Sequence, residues 1–352
     1  IPDSRVENSS GKYFIIDSGS NHSVILANRL IKNKISAGFV DRAITARGRT
    51  FRAGSLVIDK ARIDQSRLSS LARGLGLTIE SLDSVEPARI NPLSPYRLAI
   101  YQPWTASLDE GWTRWVLEQF EFQFRVIHNS EIKAGQLEKN FSHLILPNIS
   151  AGVILEGRKK GEVPPEYAGG IGAEGLTALN SFINNGGVLI AMENSADFAI
   201  QSLGLPVKNI IEPRRLSRNE SEPVASSQID RVKIYSPGSI LRVQVDNSRP
   251  EAFGFDQEAA IFSYFSPVFE LGKIEGNDKL SGVEKIWNIA WYPAYEPLLS
   301  GILLNGDKLK NKSAAVVCQV GKGRVILLGL DVIHRAQAYG SFRFLFNPIL
   351  YR

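Results

Sequence analysis

The sequence contains few of the residues that metal and disulfide sites require. Its 352 residues include one cysteine, Cys318, and four histidines. A single cysteine excludes an internal disulfide framework and a multi-cysteine metal site, but it does not settle the cellular compartment. Cys318 lies in the alternating segment AAVVCQV and is expected to be a core residue. No apolar run approaches the roughly 18 residues of a membrane helix, so we expect no membrane span.

The sequence also lacks a large excess of either sign of charge. The net charge is +5, and the densest basic runs, at 158–160 and 214–218, lie in apparent loops. Exposed loops account for such runs, so we predict no nucleic-acid partner. A hydrophobic content of 43% with 22% charged residues is typical of a globular protein and excludes a disordered chain.

The length and the element pattern predict two domains. The chain begins Ile1-Pro2 without an initiator methionine or signal peptide, so we expect a processed chain or a piece of a longer one. Residues 1–11 are predicted to be a flexible segment, and 12–83 to be a small α+β domain with the order βαββαβ. Asp64 is the expected N-cap of its second helix. Residues 84–95 contain three prolines and are predicted to be a linker.

Residues 96–352 predict a second domain of the α/β class. The strands YRLAIYQP, QFRVIH, SHLILPNI and VLIAM alternate with helices, which predicts a doubly wound, mostly parallel sheet. Residues from about 205 to 300 predict a β-rich, antiparallel insertion. The final segment RAQAYGSFRFLFNPIL is predicted to be a helix that packs on the sheet.

Ligands of doubly wound sheets bind beyond the carboxyl ends of the strands. This rule places one candidate site at the turns after the first, third and fourth strands, bordered by the loop 150–172. The predicted ligand-binding residues are Gln102, Trp104, Asn148, Glu193 and Asn194.

The turn at Glu193-Asn194-Ser195 has the strand-turn-helix pattern on which α/β enzymes mount a nucleophile. A serine hydrolase using Ser195, His334 as base and Glu193 as acid is therefore one alternative. The simpler interpretation, which we favour, is that Ser195 or Asn194 caps the following helix.

Three motifs suggest cofactors, but their surroundings do not fit. HNSE at 128–131 has the spacing of two zinc ligands, but His22, His143 and His334 are not suited to be the third. GGIGAEG at 169–175 does not directly follow a first strand, as a dinucleotide fingerprint must. Two carboxylates, Asp109 and Glu110, lie where a flavin phosphate would bind. We predict no cofactor and no metal in this chain.

Aromatic residues give the better binding signal. Trp104 lies in a turn at the predicted ligand edge, where a peptide or carbohydrate groove would use it. Trp112 and Trp115 share a helix face and are predicted to be core residues. A further cluster, Trp287 to Tyr295, allows a second alternative, an interaction module with an aromatic oligomer contact centred on Trp291.

Three long phrases carry a family resemblance: YRLAIYQPWTASLDEGWTRWVLEQF, PPEYAGGIGAEGLTALNSFI and GKGRVILLGLDVIHRAQAYGSFRFLFNPIL. They resemble the C-terminal region of large bacterial zinc carboxypeptidase-like proteins, a region similar to the class I glutamine amidotransferase fold with its flavodoxin-like sheet. The resemblance covers about 96–352. It implies an upstream peptidase domain as partner, zinc in that domain only, and an exported location, periplasmic or extracellular.

The resemblance does not bring catalytic residues with it. The amidotransferase nucleophile falls near Glu193, where there is no cysteine, and Cys318 lies on a different strand. We therefore expect a non-catalytic accessory region that binds a peptide or glycan, with the serine hydrolase and the interaction module as alternatives.

Overall fold

The described residues form two large β-sheets with helices packed against them and one separate two-stranded hairpin, an α/β fold with mixed sheets. The computed structural model describes residues 2–7, 10–211, 234–274 and 282–351. The basic run at 214–218 lies outside the described residues. None of the described helices combines the length and the apolar character needed to cross a bilayer, in agreement with the sequence.

The N-terminal part contains a six-stranded sheet, counted over the described residues. Its elements are β1 (Arg5–Glu7), β2 (Tyr13–Ile16), α1 (His22–Lys32), β3 (Gly38–Val40), β4 (Ile44–Ala46), β5 (Arg49–Phe51), β6 (Leu56–Asp59), α2 (Gln65–Leu71), β7 (Thr78–Leu82) and β8 (Ile90–Pro92). The strand order is β1-β7-β2-β6-β3-β8, and β4 and β5 form a separate hairpin. Asp64 caps α2 by accepting a hydrogen bond from Arg67 N at 2.8 Å, as predicted.

The rest of the chain forms a larger sheet, in which twelve strands are described. Its elements are β9 (Leu98–Tyr101), α3 (Leu108–Gln119), β10 (Phe124–Ile127), α4 (Asn129–Lys133), α5 (Leu137–Asn140), β11 (His143–Leu146), α6 (Ala151–Leu155), α7 (Gly172–Asn184), β12 (Val188–Met192), α8 (Asn194–Ser202), β13 (Val207–Asn209), β14 (Pro237–Val245), β15 (Glu258–Tyr264), β16 (Phe269–Leu271), β17 (Val283–Trp291), β18 (Leu298–Ser300), β19 (Ser313–Val320), β20 (Gly323–Leu328) and α9 (Arg343–Leu350). Strands β10-β9-β11-β12-β20 are parallel neighbours. Numbered along the chain, this is the 2-1-3-4-5 order of flavodoxin-like sheets, in which the order reverses beside β9.

The β-rich segment predicted at about 205–300 continues this sheet. Strand β19 pairs antiparallel with β20 and with β17, and β14 and β15 follow. Asp331 N donates a hydrogen bond to Phe262 O at 3.2 Å, so β15 returns to the loop after β20. The prediction of a mostly parallel sheet is therefore wrong for the sheet as a whole, because β19 extends it with antiparallel strands.

Each face of the parallel strands carries its own core, because alternate side chains of a strand point to opposite faces. Ile190 belongs to one core together with Val116 of α3 and Phe346 of α9. Leu189 belongs to the other, with Phe182 of α7 and further residues of α4 to α8. Helices thus cover both faces, and the strand ends remain at the edges.

The N-terminal sheet shares a core with the larger sheet. Phe14 of β2 belongs to the same buried cluster as Phe346 of α9. Arg29 Nη2 lies 2.7 Å from Glu121 Oε1 across the junction. The predicted linker, 84–95, contains β8, which pairs with β3, and the predicted flexible segment, 1–11, contains β1. The domain boundaries themselves stay a prediction.

Candidate functional site at the carboxyl edge of the sheet

The five parallel strands end at one edge of the sheet, and polar or aromatic side chains follow each of them. In chain order these are Gln102, Trp104, His128, Asn148, Glu193, Asn194, Asp331 and His334. All five predicted ligand-binding residues are among them. Asn148 connects its own turn with the starts of two helices: its Oδ1 accepts from Asn194 Nδ2 of α8 at 2.8 Å, and its Nδ2 donates to Asp109 Oδ2 of α3 at 2.9 Å. A role of these residues in binding stays a prediction.

Glu193 has a strained backbone where β12 turns into α8. Its φ of 47° and ψ of −114° lie outside the regions that residues other than glycine usually occupy. Its N–H donates to Leu328 O at 2.7 Å, and its carbonyl accepts from Ala196 N at 2.8 Å. A sharp strand-to-helix turn of this kind exposes the nucleophile of α/β hydrolases, and here it presents a carboxyl group. Such strain clusters at functional sites.

Three carboxyl groups influence one another at this edge. Glu193 is 7% exposed; burial raises its pKa well above the usual value, the charges of Asp331 and Asp109 raise it further, and the Ser266 hydroxyl opposes the rise. Burial also raises the pKa of Asp109, and Asp331 adds to that rise, whereas the amide of Asn148 opposes it. Because like charges in a desolvated place disfavour ionisation, this cluster keeps a proton at a pH at which an exposed glutamate has lost its own.

The hydroxyl of Ser195 is bonded to the backbone of the neighbouring turn. The side chain is fully buried. Its Oγ donates to Pro147 O, lies 3.1 Å from Ile149 O, and accepts from Ile149 N at 3.1 Å. The serine hydrolase alternative requires a hydrogen bond between Ser195 and His334. The structure instead bonds the Ser195 hydroxyl to the backbone and the His334 imidazole to Asp331. The predicted capping role is also wrong, because the N-cap of α8 is Glu193, and the first N–H of the helix, that of Asn194, donates to Asn148 Oδ1 at 3.2 Å.

Replacing Ser195 with alanine is expected to lower the free energy of unfolding by about 1–3 kcal/mol, because the buried N–H of Ile149 would lose its acceptor. Urea denaturation measures the change. Ser66→Ala, at an exposed position of α2, is the matched control, with an expected change within about 0.5 kcal/mol. An unchanged stability together with loss of a hydrolytic activity would assign Ser195 a catalytic role instead.

His334 is held by Asp331 in a strained turn after β20. Its Nδ1 lies 2.7 Å from Asp331 Oδ2, and its N–H donates to Asp331 Oδ1 at 2.7 Å. The imidazole packs on Phe262 with 3.8 Å between the ring centroids. Residues 334–336 have φ values of 27°, 52° and 60°. Left-handed residues cannot continue a right-handed helix, so the predicted last helix begins later, at Arg343.

Trp104, His128 and Tyr167 form an aromatic group at the same edge, called the Trp104 platform below. The Trp104 and His128 rings are stacked at 4.0 Å with an angle of 11°, and Tyr167 meets Trp104 edge-on at 4.8 Å. His128 Nδ1 lies 2.8 Å from Gln102 O. Trp104 and Tyr167 are 38% and 40% exposed. The Trp104 ring is therefore held on one face by His128, and part of the platform remains exposed to solvent.

The loop between α6 and α7 brings Tyr167 to the platform. Asn129, the first residue of α4, donates from Nδ2 to Gly169 O at 2.8 Å and accepts at Oδ1 from Tyr101 Oη at 2.6 Å. A Cβ on Gly157 would lie 2.1 Å from Gly169 O, so the two ends of the loop approach as closely as glycine allows. The loop 150–172 borders the edge, as predicted.

The motifs that suggested cofactors have structural roles. His128 is the N-cap of α4, and its N–H donates to Glu131 Oε2 at 2.8 Å, so the His-x-x-Glu spacing belongs to a capping box. Gly172 begins α7, and a Cβ on Gly170 would lie 2.4 Å from Ile154 O. In the part of the chain that the structure describes, no three His, Cys, Asp or Glu side chains are grouped to hold a metal ion.

The two tryptophans of α3, Trp112 and Trp115, differ in how far they are buried. Trp115 is 46% exposed, so its assignment to the core is wrong, whereas Trp112 packs partly buried against the first core. The buried face of α3 is formed by Glu110, Thr113, Val116 and Leu117. Trp291 is partly buried, and its Nε1 donates to Gln244 Oε1 at 2.8 Å. An oligomer contact through Trp291 stays a prediction.

The chain was compared with known proteins. No protein-family model and no curated protein matches the sequence. Among solved structures, a GMP synthase-type protein from Thermoplasma acidophilum shares 10% identity over 73% of this chain and 95% of that one, with a TM-score of 0.38. A glutamine amidotransferase from Thermotoga maritima shares 12% over 71% and 80%, with a TM-score of 0.35.

Longer enzymes are also among the similar structures. A β-galactosidase from Bacillus circulans sp. alkalophilus shares 9% identity over 72% of this chain, with a TM-score of 0.37, and the chain spans only 30% of that enzyme. At these values none of the likenesses assigns a family or an activity. The relation to zinc carboxypeptidase-like proteins stays a prediction.

Proposed function

We propose that the carboxyl edge binds a neutral glycan on the Trp104 platform, and that the chain is a non-catalytic binding region. The observation that carries the proposal is the exposed Trp104 ring held flat on His128. A ring that is already fixed loses little conformational entropy when a ligand packs on it. The apolar C–H face of a sugar ring fits such a surface, and its hydroxyl groups fit neighbouring amides.

The charges at the edge support a neutral ligand. Asp109 and Asp331 lie close enough to Glu193 to raise its pKa, and the carboxylates of this cluster that remain ionised would repel an anionic ligand. Gln102, Asn148 and Asn194 supply amide donors and acceptors for hydroxyl groups.

The absence of a catalytic role is part of the proposal. His334 has an orienting carboxylate in Asp331, but the hydroxyl of Ser195, the predicted nucleophile, bonds to the backbone around Ile149 instead of to His334. The link to an upstream zinc carboxypeptidase-like domain, with zinc only in that domain, and the exported location are proposed from the sequence resemblance alone.

The Trp104→Ala variant is expected to weaken glycan binding at least about tenfold, roughly 1.4 kcal/mol, since the stacking surface is removed. Isothermal titration calorimetry with chito-, cello- and malto-oligosaccharides, and with short neutral peptides in parallel, measures the affinity.

Trp115→Ala is the matched control, because Trp115 is an exposed tryptophan on α3 outside the platform. Its affinity is expected to equal that of the wild type. Equal losses in the two variants, or tighter binding of the peptides, would contradict the glycan proposal.

A further inference from the structure

A groove of about 620 Å³ lies on the N-terminal part of the chain and uses none of the carboxyl-edge residues. One wall is the turn after α1, residues 33–36, and the other is the turn from β6 into α2, residues 60–67. Its volume is in the range of ligand sites, but such sites are usually lined by apolar and aromatic side chains. Ile35 and Ile63 are the largest apolar residues in this lining. A ligand would therefore be held here mainly by polar groups.

The lining is strongly positive. Lys34, Lys60, Arg62 and Arg67 line the groove, against one acidic residue, Asp64. Asp64 Oδ1 is occupied as the cap of α2, where it accepts from Arg67 N at 2.8 Å. The guanidinium groups of Arg62 and Arg67 and the Lys34 ammonium form no ion pair with any residue in 2–7, 10–211, 234–274 or 282–351. Each wall thus carries exposed cationic charge, and Asp64 is the one acidic residue among the described residues that line the groove.

Lys34 stands at a position that usually favours glycine. Its φ is 55°, in the left-handed region, directly after the α1 C-cap. Lys34 N donates to Ile31 O and Ile35 N to Leu30 O, both at 3.0 Å, which is the Schellman pattern that most often ends on glycine. The chain places a long cation at the groove where glycine would have the lower conformational cost. A role for its charge would explain that choice.

We infer that this groove binds an acidic oligosaccharide, whose carboxylate or sulfate groups pair with the cations of the two walls. None of the described residues that line the groove is aromatic, so these residues offer no surface on which nucleic-acid bases could stack. The inference is independent of the carboxyl-edge proposal, because the two sites share no residue and their ligands differ in charge.

The test is fluorescence anisotropy of a labelled oligogalacturonate and a labelled sulfated oligosaccharide with the full chain, at about 50 and about 300 mM NaCl. The wild type is expected to bind at least one of them, and more weakly at the higher salt. The triple variant Lys34→Gln, Arg62→Gln, Arg67→Gln is expected to bind at least about tenfold more weakly.

The matched control removes the same charge from the exposed loop, as Arg158→Gln, Lys159→Gln, Lys160→Gln, and is expected to bind like the wild type. Lys34→Gly is expected to melt at the same or a higher temperature than the wild type and to bind several-fold more weakly, which separates charge from folding. Equal losses in the two triple variants, tighter binding of an oligodeoxythymidylate, or no binding of either acidic probe would overturn the inference.

Discussion

The Phe346→Ala variant is expected to lose about 3–5 kcal/mol of the free energy of unfolding. Phe346 is fully buried in α9. Its ring centroid lies 4.6 Å from that of Phe120, 5.1 Å from that of Phe122 and 5.9 Å from that of Phe342. Truncation loses the free energy gained by burying the ring. It also leaves a cavity, because the surrounding elements are held in place by the sheet and cannot close it, so the cost of the cavity is added.

Urea denaturation followed by circular dichroism and by tryptophan fluorescence measures this change. All five tryptophans lie after residue 100, so fluorescence reports the larger sheet and circular dichroism reports the whole chain. Because Phe14 and Phe346 share one core, the two transitions are expected to coincide. Tyr264→Ala, at a side chain that is 52% exposed, is the control with a small expected change. A loss below about 1 kcal/mol in Phe346→Ala would contradict the role of this core.

The parallel half of the sheet is predictable from the sequence because its strands are buried on both faces. Such strands are short apolar runs between turn residues, as in Leu98–Tyr101 and Val188–Met192. They are recognised without an alternation of apolar and polar residues, because both of their faces are buried. The amphipathic helices between them then fix the topology, since parallel strands require crossover connections.

The antiparallel half is less predictable because pairing partners far apart in sequence decide it. Strand β14 pairs with β15, β17 and β18, and no local pattern selects among these neighbours. The start of α9 is missed for another reason: the segment 335–342 has helical composition, but the pairing of His334 with Asp331 and the left-handed residues 334–336 hold it in a turn.

The position of the candidate site is predictable from the strand-end rule, whereas its composition is predictable only in part. Glu193 directly follows β12, and Asn148 lies two residues beyond the end of β11. Tyr167 belongs to a long loop whose path depends on the contact of Asn129 with Gly169, which sequence spacing does not show. Applying the rule to the last strand as well would have found Asp331, which lies in the turn after β20, three residues beyond Leu328.

The Glu193→Gln variant is expected to be more stable than the wild type, and increasingly so as the pH rises from about 4 to about 8. The folded-state pKa of Glu193 is raised by burial and by Asp331 and Asp109. Below the unfolded-state pKa of about 4.3 both states are protonated, so the carboxyl group imposes no penalty. Above it, the unfolded chain releases the proton that the folded chain retains, and stability is lost until the pH passes the folded-state pKa. Glutamine cannot ionise and avoids this loss.

The difference between the two unfolding free energies is therefore expected to grow by about 1.4 kcal/mol for each unit by which the folded-state pKa exceeds the unfolded-state value. Urea denaturation at the two ends of the pH range measures it. Glu118→Gln, at an exposed position of α3, removes the same charge without the burial and is the matched control, with an expected change in stability within about 0.5 kcal/mol. A stability difference for Glu193→Gln that stays constant with pH, or shrinks as the pH rises, would mean that the carboxyl at the strained turn is ionised in the folded protein, and the buried, proton-retaining cluster would have to be given up.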